Sequence, residues 1–151
     1  MIKRHFPDAE ALVGVATAGI AHAALVADYM ELPMAYARAA AKEHGTKSLI
    51  EGKLEEGTKV VIIEDLISAG KSSLEVVKGV RMSAMDVIGL AAIFSYDFPV
   101  ANEAANNENV VFVTLTDYNV LLDIAMEMDY IRENDAALLK SWRESPHTWG
   151  K

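Results

Sequence analysis

Apolar residues fall along this chain in short, dense runs. Residues 11–15, 34–38, 59–64, 87–95 and 110–115 are apolar and partly β-branched with little alternation, the pattern of strands buried on both faces. Helical patterns lie between most of them. Residues 19–30 are alanine-rich and stop before Pro33, residues 72–85 repeat Leu74, Val77, Val80 and Arg81 at helical spacing, and residues 100–107 form a weaker, polar candidate. Strands alternating with helices predict βαβ units: an α/β fold with a mostly parallel five-stranded sheet flanked by helices.

Beyond Asp117, the recurrence of Val120, Leu121, Ile124 and Met128 predicts a further helix, and residues 135–142 suggest another. No element is predicted before the first apolar run, which begins at residue 11. A sheet of this type is normally covered on both faces. Part of it is therefore expected to be bare, or covered by a partner subunit. Between the second and third runs lie residues 39–58, rich in Gly, Lys, Glu and Ala and with little periodicity. Connections of that length inside a compact domain are uncommon and are often functional, so this loop is the first suspect for a site.

Composition narrows the field. A length of 151 residues, 52% of them hydrophobic, suits one domain over 1–151. Fourteen Lys plus Arg against twenty-two Asp plus Glu give 14 − 22 = −8, a charge that repels phosphate backbones and anionic lipid, so no nucleic acid and no membrane is expected as partner. The chain has no cysteine, which removes disulfides and thiolate zinc sites and fits a reducing cytosol. Apolar stretches such as 87–94 are far shorter than the ~20 residues of a membrane-spanning helix. Residues 1–7 carry charge with no apolar run behind it, unlike a signal peptide. A cytoplasmic location is the expectation.

The stretch richest in chemistry is Val60-Val61-Ile62-Ile63-Glu64-Asp65-Leu66-Ile67-Ser68-Ala69-Gly70-Lys71-Ser72-Ser73. A buried strand carries two adjacent carboxylates toward its C-terminal end, where open α/β sheets bind ligands. A loop of small residues then opens a helix. Amide groups at a helix N-terminus point at an anion, and Ser68, Ser72 and Ser73 can add hydroxyl donors. Gly70-Lys71-Ser72 invites a nucleotide P-loop reading, but that motif needs glycine where Asp65 stands. The P-loop reading fails.

The segment Glu64-Asp65-Leu66-Ile67-Ser68-Ala69-Gly70 resembles, at every position, the signature of the type I phosphoribosyltransferases. The resemblance implies that Glu64 and Asp65 hold the ribose hydroxyls of 5-phosphoribosyl-1-diphosphate (PRPP). Ser68, Ala69, Gly70, Lys71, Ser72 and Ser73 would hold its 5′-phosphate. A second segment, Arg38-Ala39-Ala40-Ala41-Lys42-Glu43-His44-Gly45, followed by Ile50-Glu51-Gly52, is similar to the Arg-x-x-x-Lys-x-His-Gly loop of the orotate phosphoribosyltransferases. By that likeness Arg38, Lys42 and His44 bind the diphosphate and act with Asp65 in catalysis, and loop 39–52 reaches the neighbouring active site of a homodimer. Ala16, Thr17, Ala18 and Gly19, in the turn after the first strand, would contact the diphosphate through backbone groups. Mg2+ would be the cofactor, bound mainly through PRPP, with no metal ligand assigned to the chain itself. Orotate would be the acceptor.

The sequence also departs from the family pattern. Lysines common in the family are replaced by Ala39 and Ala18, and an arginine that some members place after the fourth-strand aspartate is Phe98, after Asp97. The N-terminal hood of family members has no counterpart before residue 11, so either Met1 is an internal start or this is a hoodless variant. No residue can be assigned to the base. Two alternatives therefore stay open: a PRPP-binding regulatory or truncated protein without transferase activity, and a transferase for another nucleobase.

Overall fold

The computed structural model describes residues 1–39 and 49–146. Along the chain run α1 (Ile2–His5), β1 (Ala11–Val15), α2 (Ala18–Met30), β2 (Met34–Ala37), β3 (Ile50–Glu51), β4 (Lys59–Ile67), α3 (Lys71–Met82), β5 (Asp86–Ser95), α4 (Pro99–Asn107), β6 (Phe112–Asp117), α5 (Tyr118–Glu127) and α6 (Glu133–Glu144). The strands form one sheet in the order β3-β2-β1-β4-β5-β6. Every pairing is parallel except β2 with β3.

Burial follows from this topology. β1 is buried at all five positions, as expected of a central parallel strand. On one face Val13, Val60, Ile62 and Leu90 pack with Val76, Val77 and Val80 of α3 and Ala101 and Ala105 of α4. On the other, Leu12, Val61, Ile63 and Ala91 pack with Ala23 and Ala27 of α2 and with Ile2 and Phe6. Successive β4 residues thus alternate between two cores, and the unbroken apolar run is explained.

The five expected strands are present, with a sixth added. β3 has two residues and pairs antiparallel, Tyr36 with Glu51 and Ala37 with Ile50; two residues carry no pattern to read. β4 continues to Ile67 because its ladder with β5 persists to the Ile67–Ser95 pair. β6 starts at Phe112, since the Val110 amide closes α4 by donating to the Ala105 carbonyl at 3.0 Å. α3 stops at Met82, where Ser83 and a left-handed Ala84 (φ 61°) turn the chain toward β5.

One expectation is corrected. The segment before β1 is not featureless: α1 and Phe6 cover part of the α2 face, with Ile2 and Phe6 buried. A four-residue helix is too short for periodicity to reveal. Beyond it, Leu115 on β6 is 65% exposed and Val111 and Ile93 are exposed too, so the outer part of the sheet remains bare among the described residues.

Candidate active site

β2 lies to one side of β1 and β4 to the other, while α2 and α3 cover opposite faces. Between β1 and β4 the strand order reverses. Such a switch point opens a crevice at the C-terminal ends of the strands, where α/β sheets take ligands. The turn 16–19, the pair Glu64-Asp65 and the loop 68–73 all lie around it.

On the β1 side, the Ala16–Thr17 peptide is cis. The Ala16 amide donates to the Ala37 carbonyl at 2.8 Å, fixing the turn to β2. Thr17 is the N-cap of α2, and Ala18 and Gly19 form its first residues. Gly19 is dictated by close approach: a Cβ there would lie 2.5 Å from the Ile63 carbonyl oxygen. Any side chain would push α2 off β4 and open the floor of the crevice.

On the β4 side, Glu64 is 5% exposed and Asp65 is half-buried. The Ser73 hydroxyl donates to Glu64 Oε2 at 2.9 Å, and the Asp65 amide donates to Oε1 at 3.2 Å. Burial above all, then a hydrogen bond with the Asp65 carboxyl, pushes Glu64 up to about 7, against the lowering effect of the Ser73 hydroxyl. Near neutral pH the Glu64 carboxyl is therefore about half protonated.

The loop then opens α3. Gly70 is its N-cap in the left-handed region (φ 76°), a conformation that glycine adopts without strain. The Leu74 amide donates to the Gly70 carbonyl at 2.9 Å, and no side chain caps the helix. The amides of its first turn are left to meet an anion. Lys71 and Ser72 are exposed, whereas Ser73 is buried. A cavity of about 350 Å³ is lined by this loop from Ser68 to Ser73.

Arg38 leaves β2 beside the crevice. Its guanidinium meets Glu51 at 3.5 Å, and the Tyr36 hydroxyl donates to the same carboxylate at 2.5 Å. Lys42 and His44 lie outside the described residues.

A second group of residues was not anticipated as a unit. Tyr96 and Phe98 stack with centroids 5.3 Å apart and 8° between planes, and Trp142 meets both edge-on at 5.8 and 5.7 Å. With Ser68 and Ala69 they line a cavity of about 710 Å³, which Glu103, Arg143 and Glu144 also border. Asp97 (φ 53°) anchors this wall. It accepts from Asn102 of α4 at 3.1 Å, Asn119 of α5 at 3.3 Å and Arg143 of α6 at 3.2 Å. Arg143 also donates to the Asp97 carbonyl at 2.6 Å. Asp97 is thus committed to structure.

Residues 4–121 match the family model described as phosphoribosyl transferase domain. The chain is 47% identical over 150 residues to the orotate phosphoribosyltransferase of Enterococcus faecalis, covering 99% of this chain and 71% of that protein. It is 48% identical over 149 residues to the orotate phosphoribosyltransferase of Bacteroides thetaiotaomicron, covering 99% of this chain and 70% of that one. This chain belongs to the orotate phosphoribosyltransferase family.

Family membership agrees with the architecture. Among solved structures, the UMP synthase of Leishmania donovani superposes with a TM-score of 0.78 at 22% identity, over 94% of this chain and 30% of that longer one, a likeness of fold. Among the described residues no group of three or more His, Asp or Glu could hold a metal ion. The donor set suits magnesium delivered with a substrate: that ion prefers one or two carboxylates with phosphate oxygens and water, and half-buried Asp65 is placed to supply one.

Proposed function

We infer that this family member transfers the phosphoribosyl group of PRPP to orotate, giving orotidine 5′-monophosphate and diphosphate. The observation that carries the reading is the near-full-length likeness to two orotate phosphoribosyltransferases at 47% and 48% identity. The crevice between β1 and β4 supports it by offering amides to phosphate and carboxyls to a diol.

In this reading the 5′-phosphate sits on the first-turn amides of α3, with Ser68 and Ser72 adding hydroxyl donors. The ribose hydroxyls donate to Glu64 and Asp65. The diphosphate lies across the turn 16–19 toward Arg38, Lys42 and His44. The bond from ribose C1 to the diphosphate oxygen breaks, a ring nitrogen of orotate bonds to C1, and that nitrogen loses its proton. Positive charge develops on the ribose as the bond breaks, as in glycoside hydrolysis. The carboxyl pair favours that charge from below, while Arg38, Lys42 and His44 stabilise the negative charge growing on the diphosphate. Most of the rate comes from alignment and charge complementarity.

Mg2+ bound with PRPP would supply charge neutralisation at the diphosphate, with Asp65 the carboxylate able to reach it. The cavity walled by Tyr96, Phe98 and Trp142 adjoins Ser68 and offers flat apolar surfaces to a planar ring. A homodimer, with loop 39–52 completing the neighbouring site, agrees with the bare outer face carrying Ile93, Val111 and Leu115. No helix among the described residues is long and apolar enough to cross a membrane.

The test is orotate consumption, followed by ultraviolet absorbance with PRPP and magnesium, in competition with adenine and hypoxanthine. Orotate is expected to be consumed and neither purine to compete. Turnover of a purine instead would replace the acceptor, and PRPP binding without turnover of any base would reduce the chain to a binder.

A further inference from the structure

Ser73 stands in the phosphate loop by sequence and borders its cavity, yet its hydroxyl is engaged by Glu64. The side chain is 2% exposed and its Oγ donates to Glu64 Oε2 at 2.9 Å, a buried contact across nine positions of sequence. The cause is helical geometry. Side chains in a first turn tilt back toward the helix N-terminus, and at the third position of α3 that direction leads under the loop to the end of β4. The Ser73 amide, by contrast, belongs to the first-turn donors left open to an anion.

The other Glu64 oxygen is held by the Asp65 amide at 3.2 Å. Both carboxyl oxygens of Glu64 are therefore fixed in place, each with lone-pair capacity to spare for an incoming hydroxyl. Without Ser73, a buried oxygen would lose its side-chain donor and the carboxyl could turn about its last torsion, which is broad for glutamate.

We propose that Ser73 is a positioning residue that orients Glu64 toward the ribose hydroxyls through its hydroxyl, while only its amide serves the 5′-phosphate. One residue thus couples the two ends of the phosphoribosyl group. The inference rests on the reading of the β1–β4 crevice as the PRPP site.

The test compares two ligands in the full chain by calorimetry: ribose 5-phosphate, which has the diol, and inorganic phosphate, which lacks it. Ser73→Ala should lose about fivefold to tenfold in affinity for ribose 5-phosphate, the scale of one hydrogen bond, with phosphate affinity unchanged. Ser73→Thr, which keeps the hydroxyl, should restore wild-type behaviour, and Ser73→Ala should raise the KM for PRPP more than it lowers kcat. In a Glu64→Gln background the Ser73→Ala effect on ribose 5-phosphate should shrink, since the pair acts as a unit. Equal losses on both ligands would make the hydroxyl a phosphate ligand and overturn the proposal, as would no loss on either. A lowered melting temperature with an unchanged ratio of the two affinities would reduce Ser73 to a packing role and overturn it too. Failure of the wild type to bind ribose 5-phosphate would instead remove the PRPP reading on which the inference stands.

Discussion

The crevice between β1 and β4 and the wall built by α4, α5 and α6 border each other at Ser68 and Ala69 but are made differently. The crevice is framed by backbone around the Glu64–Asp65 carboxyls: turn 16–19 tied to β2, Gly19 against the Ile63 carbonyl, and the first-turn amides of α3. Its shape is set by the central strands, the most buried part of the molecule. The wall is made of side chains, with Tyr96, Phe98 and Trp142 packed together and Asp97 holding three helices by hydrogen bonds. A rigid backbone frame around two fixed carboxyls suits the proposed donor, whose phosphate and diol never change. A side-chain wall can be altered residue by residue without disturbing the sheet, and that suits the choice of acceptor.

Substitutions that respect this division should separate donor from acceptor effects. The largest effect is expected at Gly19. Gly19→Val forces a branched side chain where even a Cβ would lie 2.5 Å from the Ile63 carbonyl oxygen, so it should destabilise the fold by upwards of about 3 kcal/mol. It should also abolish thermal stabilisation by PRPP. Wild-type stability with intact PRPP binding would show that α2 need not sit on β4.

Next comes the response to pH. Glu64 is pushed up to about 7 from an ordinary 4.5, so between those values the folded protein holds a proton that the unfolded chain has released. Stability of the free protein should therefore fall as pH rises through that window, by no more than about 3 kcal/mol, and level off above it. Glu64→Gln should flatten the slope in denaturant titrations at pH 5 and pH 8. A slope that survives the substitution would place the titrating group elsewhere.

Lys42→Ala should lower kcat about 100-fold, the scale of removing one charged donor from a developing anion, with an unchanged circular dichroism spectrum. An unchanged rate would take the 39–52 loop out of the mechanism. On the acceptor side, Trp142→Ala should raise the KM for orotate about tenfold, as expected from losing an aromatic stacking partner, while leaving PRPP affinity alone. A matching loss in PRPP affinity would mean that wall and cradle are one unit. The smallest effect belongs to Arg132→Ala. Arg132 pairs with Asp135 at 3.0 Å but its side chain is 88% exposed, so stability should move by less than about 0.5 kcal/mol and neither KM should change.

The cradle was legible because its chemistry is contiguous. One strand, two carboxyls, a small-residue loop and a helix follow each other within residues 60–73, and each step has a local signature. The wall was not, since residues 96–98, 119 and 142–143 come together only once α4, α5 and α6 are packed. Its strongest signal was Phe98 after Asp97, readable as a departure from the family pattern without a sign of what replaces the lost arginine. Within the cradle, the Ser73 hydroxyl was expected among the phosphate donors, and only the direction of the first turn of α3 leads it to Glu64. The cis peptide at Ala16–Thr17 has no proline to announce it.

The backbone cradle and the Glu64–Asp65 carboxyls would together bind the donor before any acceptor arrives. A calorimetric titration of PRPP with magnesium into the chain in the absence of any base, with Gly19→Val as control, decides whether they do. Saturable binding at one site per chain, lost in the control, is the expected result. Binding that appears only once orotate is present would contradict it.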